Sequence, residues 1–134
     1  MIPFEEIEHT ADWAFRARGR NLAELFENAA RAMVSLDKVA TVEKSSLTRD
    51  VELEGVDRET LLVNWLNEIL YLGQNHHEVY DRFRISHVSD NHLRARLYGR
   101  PSRDRVSDIK AATFHDLGIK QTPEGFEAVV VLDV

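Results

Sequence analysis

The chain ends in Asp133 and the Val134 carboxylate, two oxygen-donor groups that directly follow the apolar run Ala128-Val129-Val130-Val131-Leu132. Two negative charges at the end of a buried strand repel each other and resist desolvation, so they need a cation, a basic side chain or water. A divalent ion would satisfy both. Carboxylates with backbone oxygens are hard ligands, suited to calcium, magnesium or manganese. Read from the residues alone, a hydrated terminus is the alternative. A second cluster, His9-Thr10-Ala11-Asp12, lies between two predicted strands. It offers another carboxylate and an imidazole, or else a turn in which Thr10 and Asp12 bond nearby backbone. In the third cluster, Lys110-Ala111-Ala112-Thr113-Phe114-His115-Asp116, an extended backbone puts Lys110, Ala112 and Phe114 on one face and Ala111, Thr113 and His115 on the other. Lys110 is then a cation available to a carboxylate site, or a solvated edge lysine.

Two rival chemistries use overlapping residues. A small metal-dependent hydrolase would draw on His9, Asp12, His115 and Asp116, although no nucleophile or catalytic spacing accompanies them. An RNA-binding or chaperone module would draw on Arg82, Arg84, Arg94 and Arg96, which alternate with apolar residues and so share the outer face of a predicted hairpin. The remaining histidines, His76, His77, His87 and His92, read as surface residues.

Composition narrows the classes. The net charge of −6 disfavours a protein devoted to gripping a phosphate backbone, but residues 81–105 carry 7 Arg against 3 Asp, a local excess of +4. The absence of cysteine removes disulfides, thiolate nucleophiles and thiolate zinc sites, and fits a reducing compartment. The longest apolar run is far below the roughly 20 residues of a membrane span, and the N-terminus lacks a signal-peptide pattern. A cytoplasmic single domain of 134 residues is expected.

The elements that must position these groups follow from periodicity. Asn21 with Glu24 reads as a capping pair, and Leu22, Leu25, Phe26, Ala29, Ala30, Met33 and Val34 form one stripe, predicting a helix over Leu22 to Leu36. Asp57 and Glu59 start a second helix with a wide apolar face from Leu61 to Leu72, stopped by Gly73. Strands are predicted over Phe4 to His9, Ala11 to Arg18, Thr48 to Leu53, Tyr80 to Val88, His92 to Tyr98, Asp108 to Phe114 and Glu127 to Val134. Ser89-Asp90-Asn91 closes the hairpin. The order predicts an α+β fold, a mixed or antiparallel sheet packed against two helices.

Together these segments resemble the archease family. The resemblance rests on His9-Thr10-Ala11-Asp12, on Leu61-Leu62-Val63-Asn64-Trp65-Leu66-Asn67-Glu68-Ile69-Leu70-Tyr71, on Lys110-Ala111-Ala112-Thr113-Phe114-His115, and on Leu132-Asp133-Val134, in that order over nearly the whole chain. It implies a strand-helix-strand-strand module with inserted elements and a divalent site, usually described with calcium, whose ligands by motif position are Asp12, Asp133 and Val134. His9 and His115 would stand behind them. It also implies a protein cofactor, not an enzyme. Such a cofactor accelerates guanylylation of an RtcB-type ligase, the GTP-dependent enzyme that joins RNA ends in tRNA splicing and RNA repair. Lys110 would be implicated in that activation, and RNA would be contacted through the ligase. The chain departs from the family at Phe114, where tyrosine is common, and over Pro101-Ser102-Arg103-Asp104-Arg105.

Overall fold

The computed structural model describes residues 1–8, 12–37, 45–102 and 107–134. The elements run β1 (Phe4–Ile7), β2 (Trp13–Gly19), α1 (Leu22–Leu36), β3 (Leu47–Glu54), α2 (Arg58–His76), β4 (Glu78–Val88), β5 (His92–Pro101), β6 (Ala111–Ala112), β7 (Lys120–Thr122) and β8 (Gly125–Asp133). The strands form two antiparallel sheets instead of one. The first has the order β1-β2-β8-β6, with β7 also pairing β8; the second has the order β3-β5-β4. The run β3-α2-β4-β5 is the strand-helix-strand-strand module, and the remaining elements build the other sheet around β8.

Both helices begin as their sequences dictate. The Asn21 side chain accepts the Glu24 N–H at 2.9 Å and the Asp57 side chain accepts the Thr60 N–H at 2.8 Å, each satisfying an amide that helix geometry leaves unpaired. α2 does not stop at Gly73. That residue is buried inside the helix, which continues for nearly another turn until His77 adopts the left-handed conformation at φ 52° and returns its N–H to the Gly73 carbonyl.

The helices share one apolar core with the inner faces of both sheets. α1 lies against β2 of the first sheet and β4 of the second, and Trp65 of α2, fully buried, donates its indole N–H to the Phe26 carbonyl of α1 at 2.9 Å. Polar side chains of the helices tie down irregular strand ends. Asn64 donates to the Glu54 carbonyl at 2.8 Å, and Glu27 accepts the Ile85 N–H at 2.9 Å beside the bulge in β4. The buried Glu78 carboxylate pairs with the part-exposed Arg49 through contacts of 2.9 and 2.7 Å, with the Tyr80 hydroxyl donating to the same carboxylate at 2.7 Å.

Two strand predictions need correction. The segment Asp108 to Phe114 pairs as a strand only at Ala111 and Ala112, because β6 meets β8 for just two residues before Thr113 turns away. β7 was not foreseen; its Lys-Gln-Thr sequence lacks an apolar alternation and is held extended by its hairpin with Gly125–Glu127. Among the described residues no helix is long and apolar enough to cross a membrane.

Candidate metal and partner-activation site

Antiparallel pairing brings the three chemically interesting segments to one end of the first sheet. β8 is the central strand there, with Trp13 of β2 opposite Leu132 and Ala111 of β6 opposite Asp133. Extending the β2 register by one residue sets Asp12 across from Asp133. On the other side the Lys110 N–H donates to the Asp133 carbonyl at 2.8 Å, so the Lys110 backbone stands beside Asp133. Residues separated by more than 100 positions thus meet because strand pairing is indifferent to sequence distance.

The end of β8 is anchored. Leu132 is fully buried, Asp133 is exposed, and the half-buried Val134 side chain packs against the core. Asp12 is half-buried and Lys110 is exposed. Among the described residues no three His, Asp or Glu side chains gather closely enough to hold an ion by themselves. A hard cation placed here would have two carboxylate side chains, Asp12 and Asp133, and would need main-chain oxygens to complete its shell.

Two devices that sequence reasoning missed set the position of Lys110. At the C-terminal end of α1 the buried Asp37 carboxylate accepts the Ser107 hydroxyl at 2.9 and 2.8 Å, and Ser107 Oγ in turn accepts the Ile109 N–H at 3.2 Å. Ile109 is fully buried, so Lys110 leaves a fixed point. Beyond it, the Asn67 carboxamide of α2 accepts the Ala112 N–H at 2.7 Å and donates to the Ala112 carbonyl at 3.2 Å. The side chain thereby does for the free edge of β6 what a neighbouring strand would do. The signal available in the sequence was a pair of asparagines one turn apart, Asn64 and Asn67, within the apolar run from Leu61 to Leu72; each bonds backbone outside that helix.

The other proposed participants are placed differently. His115 and Asp116 form an exposed turn and contact each other at 3.3 Å, with Asp116 at φ 51°. The exposed Phe114 precedes them. His9 lies outside the described residues, as do Arg103, Asp104 and Arg105. Strand pairing thus brings the backbones of Asp12, Asp133, Val134 and Lys110 to one sheet end, while His9 of the hydrolase constellation lies outside the described residues.

Comparison with known proteins agrees along the entire length. The model of the archease protein family (MTH1598/TM1083) matches residues 4–134. An archease from Methanosarcina acetivorans is 34% identical over 98% of this chain and 95% of its own length. One from Archaeoglobus fulgidus is 37% identical over 99% of this chain and 100% of its own. The solution structure of protein 1598 from Methanobacterium thermoautotrophicum has a TM-score of 0.77 at 33% identity, covering 100% of both chains. The crystal structure of an archease and possible chaperone from Thermotoga maritima gives 0.67 over 97% of this chain and 96% of that one, at 23% identity a likeness of fold alone. With a family model spanning residues 4–134 and relatives above 30% identity over nearly all of its length, this chain belongs to the archease family.

Proposed function

We propose that this protein is a non-catalytic cofactor that binds a divalent metal ion, with calcium the first choice, and activates an RtcB-type RNA ligase by promoting its guanylylation. The observation that carries the reading is the meeting of Asp12, Asp133, Val134 and Lys110 at one sheet end, from three segments far apart in sequence. Asp12, Asp133 and an oxygen of Val134 would hold the ion. A divalent cation bound there would neutralise the local carboxylates and offer positive charge to phosphate oxygens.

The chain's own contribution is a rigid presentation of Lys110. Its backbone is bonded to Asp133, its upstream neighbour Ile109 is buried, and Ala112 is clamped by Asn67. An ammonium on a short fixed strand loses less freedom on docking than one on a loose loop, so more of its attraction to an anionic partner surface is realised. The active-site nucleophile and the guanylylated residue belong to the ligase in this reading.

The test is the rate of GMP transfer to an RtcB-type ligase with GTP and metal, with this protein added at substoichiometric and equal amounts. Stimulation by the wild type, lost in folded Asp12→Ala, Asp133→Ala and Lys110→Ala variants, is expected. No stimulation with any divalent metal, or full stimulation by all three variants, would overturn the reading.

A further inference from the structure

The outer face of the β3-β5-β4 sheet, remote in sequence from the metal-binding segments, carries a charge arrangement that the proposed activation does not use. Its residues lie in rows across the strands. Asp50 pairs in register with Arg96 and Arg96 with Arg84; Thr48 pairs with Tyr98 and Tyr98 with Arg82; Glu52 pairs with Arg94. Within these rows the acidic strand β3 neutralises the central strand β5. Asp50 accepts from Arg96 at 2.7 Å, and Glu52 accepts from Arg94 at 3.2 Å and contacts the His92 ring at 2.7 Å. The Arg96 guanidinium holds the Asp50 carboxyl below its usual range. Two arginines of β4 remain. Arg84 faces Arg96, a like-charge neighbour that strand pairing disfavours, and the Arg82 guanidinium carbon sits 4.1 Å from the centroid of the Tyr98 ring. A hollow of about 560 Å³ lies over this surface, with Arg84, Ser86, Arg94, Arg96 and Tyr98 among its lining.

We infer that this face binds a single strand of nucleic acid, with backbone phosphate at Arg84 and Arg96 and a base stacked on the Arg82–Tyr98 pair. Charge and shape both favour this occupant. Three arginines, Arg84, Arg94 and Arg96, line the hollow with two carboxylates, Asp50 and Glu52, an excess of one positive charge on a chain whose total is −6, and Arg82 on the Tyr98 ring adds a further guanidinium at its edge. Guanidinium forks match phosphate oxygens, and two of them converging from adjacent strands can hold one phosphate from both sides. An acidic peptide would satisfy the charge but not the second feature. The exposed Arg82 lies 4.1 Å from the centroid of the Tyr98 ring, and such an arginine–aromatic pair can serve as a platform for a base. Contacts to a phosphate and to the plane of a base carry no sequence information, so recognition through them is independent of sequence.

The experiment is fluorescence anisotropy of a labelled oligouridylate of about 12 nucleotides titrated with the full chain at several salt concentrations. With one phosphate neutralised between Arg84 and Arg96, log K falls against log salt with a slope of about −0.7, so affinity drops about two- to threefold between roughly 50 and 200 mM. Arg82→Ser with Arg84→Ser removes the binding at least tenfold and flattens the slope, while circular dichroism stays native because both side chains are exposed. Asp50→Asn, which frees Arg96, tightens binding severalfold. This gain cannot come from misfolding. The inference is overturned if the wild type shows no salt-dependent binding, if the double variant binds as the wild type does, if Asp50→Asn weakens binding, or if polyglutamate of equal charge competes as well as the oligonucleotide. The last outcome would mark the face as a dock for acidic protein.

Discussion

Replacing Asn67 by alanine removes both hydrogen bonds that hold the open edge of β6. Ala112 is 4% exposed, so its freed N–H and carbonyl are not readily taken over by bulk water. Two lost bonds and two stranded backbone groups cost roughly 2–4 kcal/mol. Alanine is the better helix former and recovers about 0.5 kcal/mol. A net loss of about 2 kcal/mol, with an unfolding entropy of about 2.1 cal/mol/K per residue, lowers Tm by about 7 °C. Asn67→Asp keeps the acceptor but sets a second oxygen against the Ala112 carbonyl, so it is at least as costly. Calorimetry gives the midpoint, and amide exchange locates the effect. The Ala112 amide loses protection in the alanine variant, whereas Val130 in β8 keeps it. Ligase stimulation falls together with Ala112 protection if Lys110 must be held in register. An unchanged Tm with a still-protected Ala112 amide would refute the reasoning.

Other perturbations read different parts of the same structure. Arg49→Ala strands the buried Glu78 carboxylate; because Arg49 is itself 37% exposed, the loss is about 2 kcal/mol instead of the roughly 3–5 kcal/mol of a fully buried pair, measurable by urea unfolding. Arg49 holds the Glu78 carboxyl below its ordinary value, so the wild-type pair contributes stability that is present above about pH 4.5 and lost as pH falls toward the lowered folded value. The Arg49→Ala protein should therefore show a flatter acid limb in a series of unfolding midpoints against pH. Gly99→Ala puts a methyl group into the Val79 carbonyl and against Tyr80, forcing β4 and β5 apart, and should cost about 2 kcal/mol in the same assay.

Local signals carried the helices well, and long-range pairing carried the site. The Asn21 cap, its Glu24 partner and the unbroken stripe from Leu22 place α1 within its observed bounds, because capping and periodicity involve neighbours only. Gly73 misled for a reason visible in the packing: its lack of a side chain suits a buried helical position, and the stop is made by His77. The hairpin around Ser89-Asp90-Asn91 was legible from alternation, and so was the shared exposure of Arg82, Arg84, Arg94 and Arg96. The split into two sheets was not, since alternation marks a strand without naming its partner. The nearness of Asp12 to Asp133 depends on β2 choosing β8, a choice that no local pattern in either strand encodes. Family resemblance supplied what the residues alone left open. The roles of Asn67 and Ser107 rest on side chains bonding backbone 45 residues away or a carboxylate 70 residues away, and these have no sequence signature beyond a polar residue in an apolar setting.

The account depends most on Asp12 and Asp133 serving one ion, and a calcium titration of the isolated protein followed by heat of binding and Tm tests this directly. The prediction is a single site whose occupation at about one hundred times Kd adds about 2.7 kcal/mol, raising Tm by about 10 °C. In Asp12→Asn and Asp133→Asn the binding should be lost while the metal-free midpoint stays within a few degrees of wild type. Absence of any divalent-ion binding, or binding undiminished in both variants, would contradict the account.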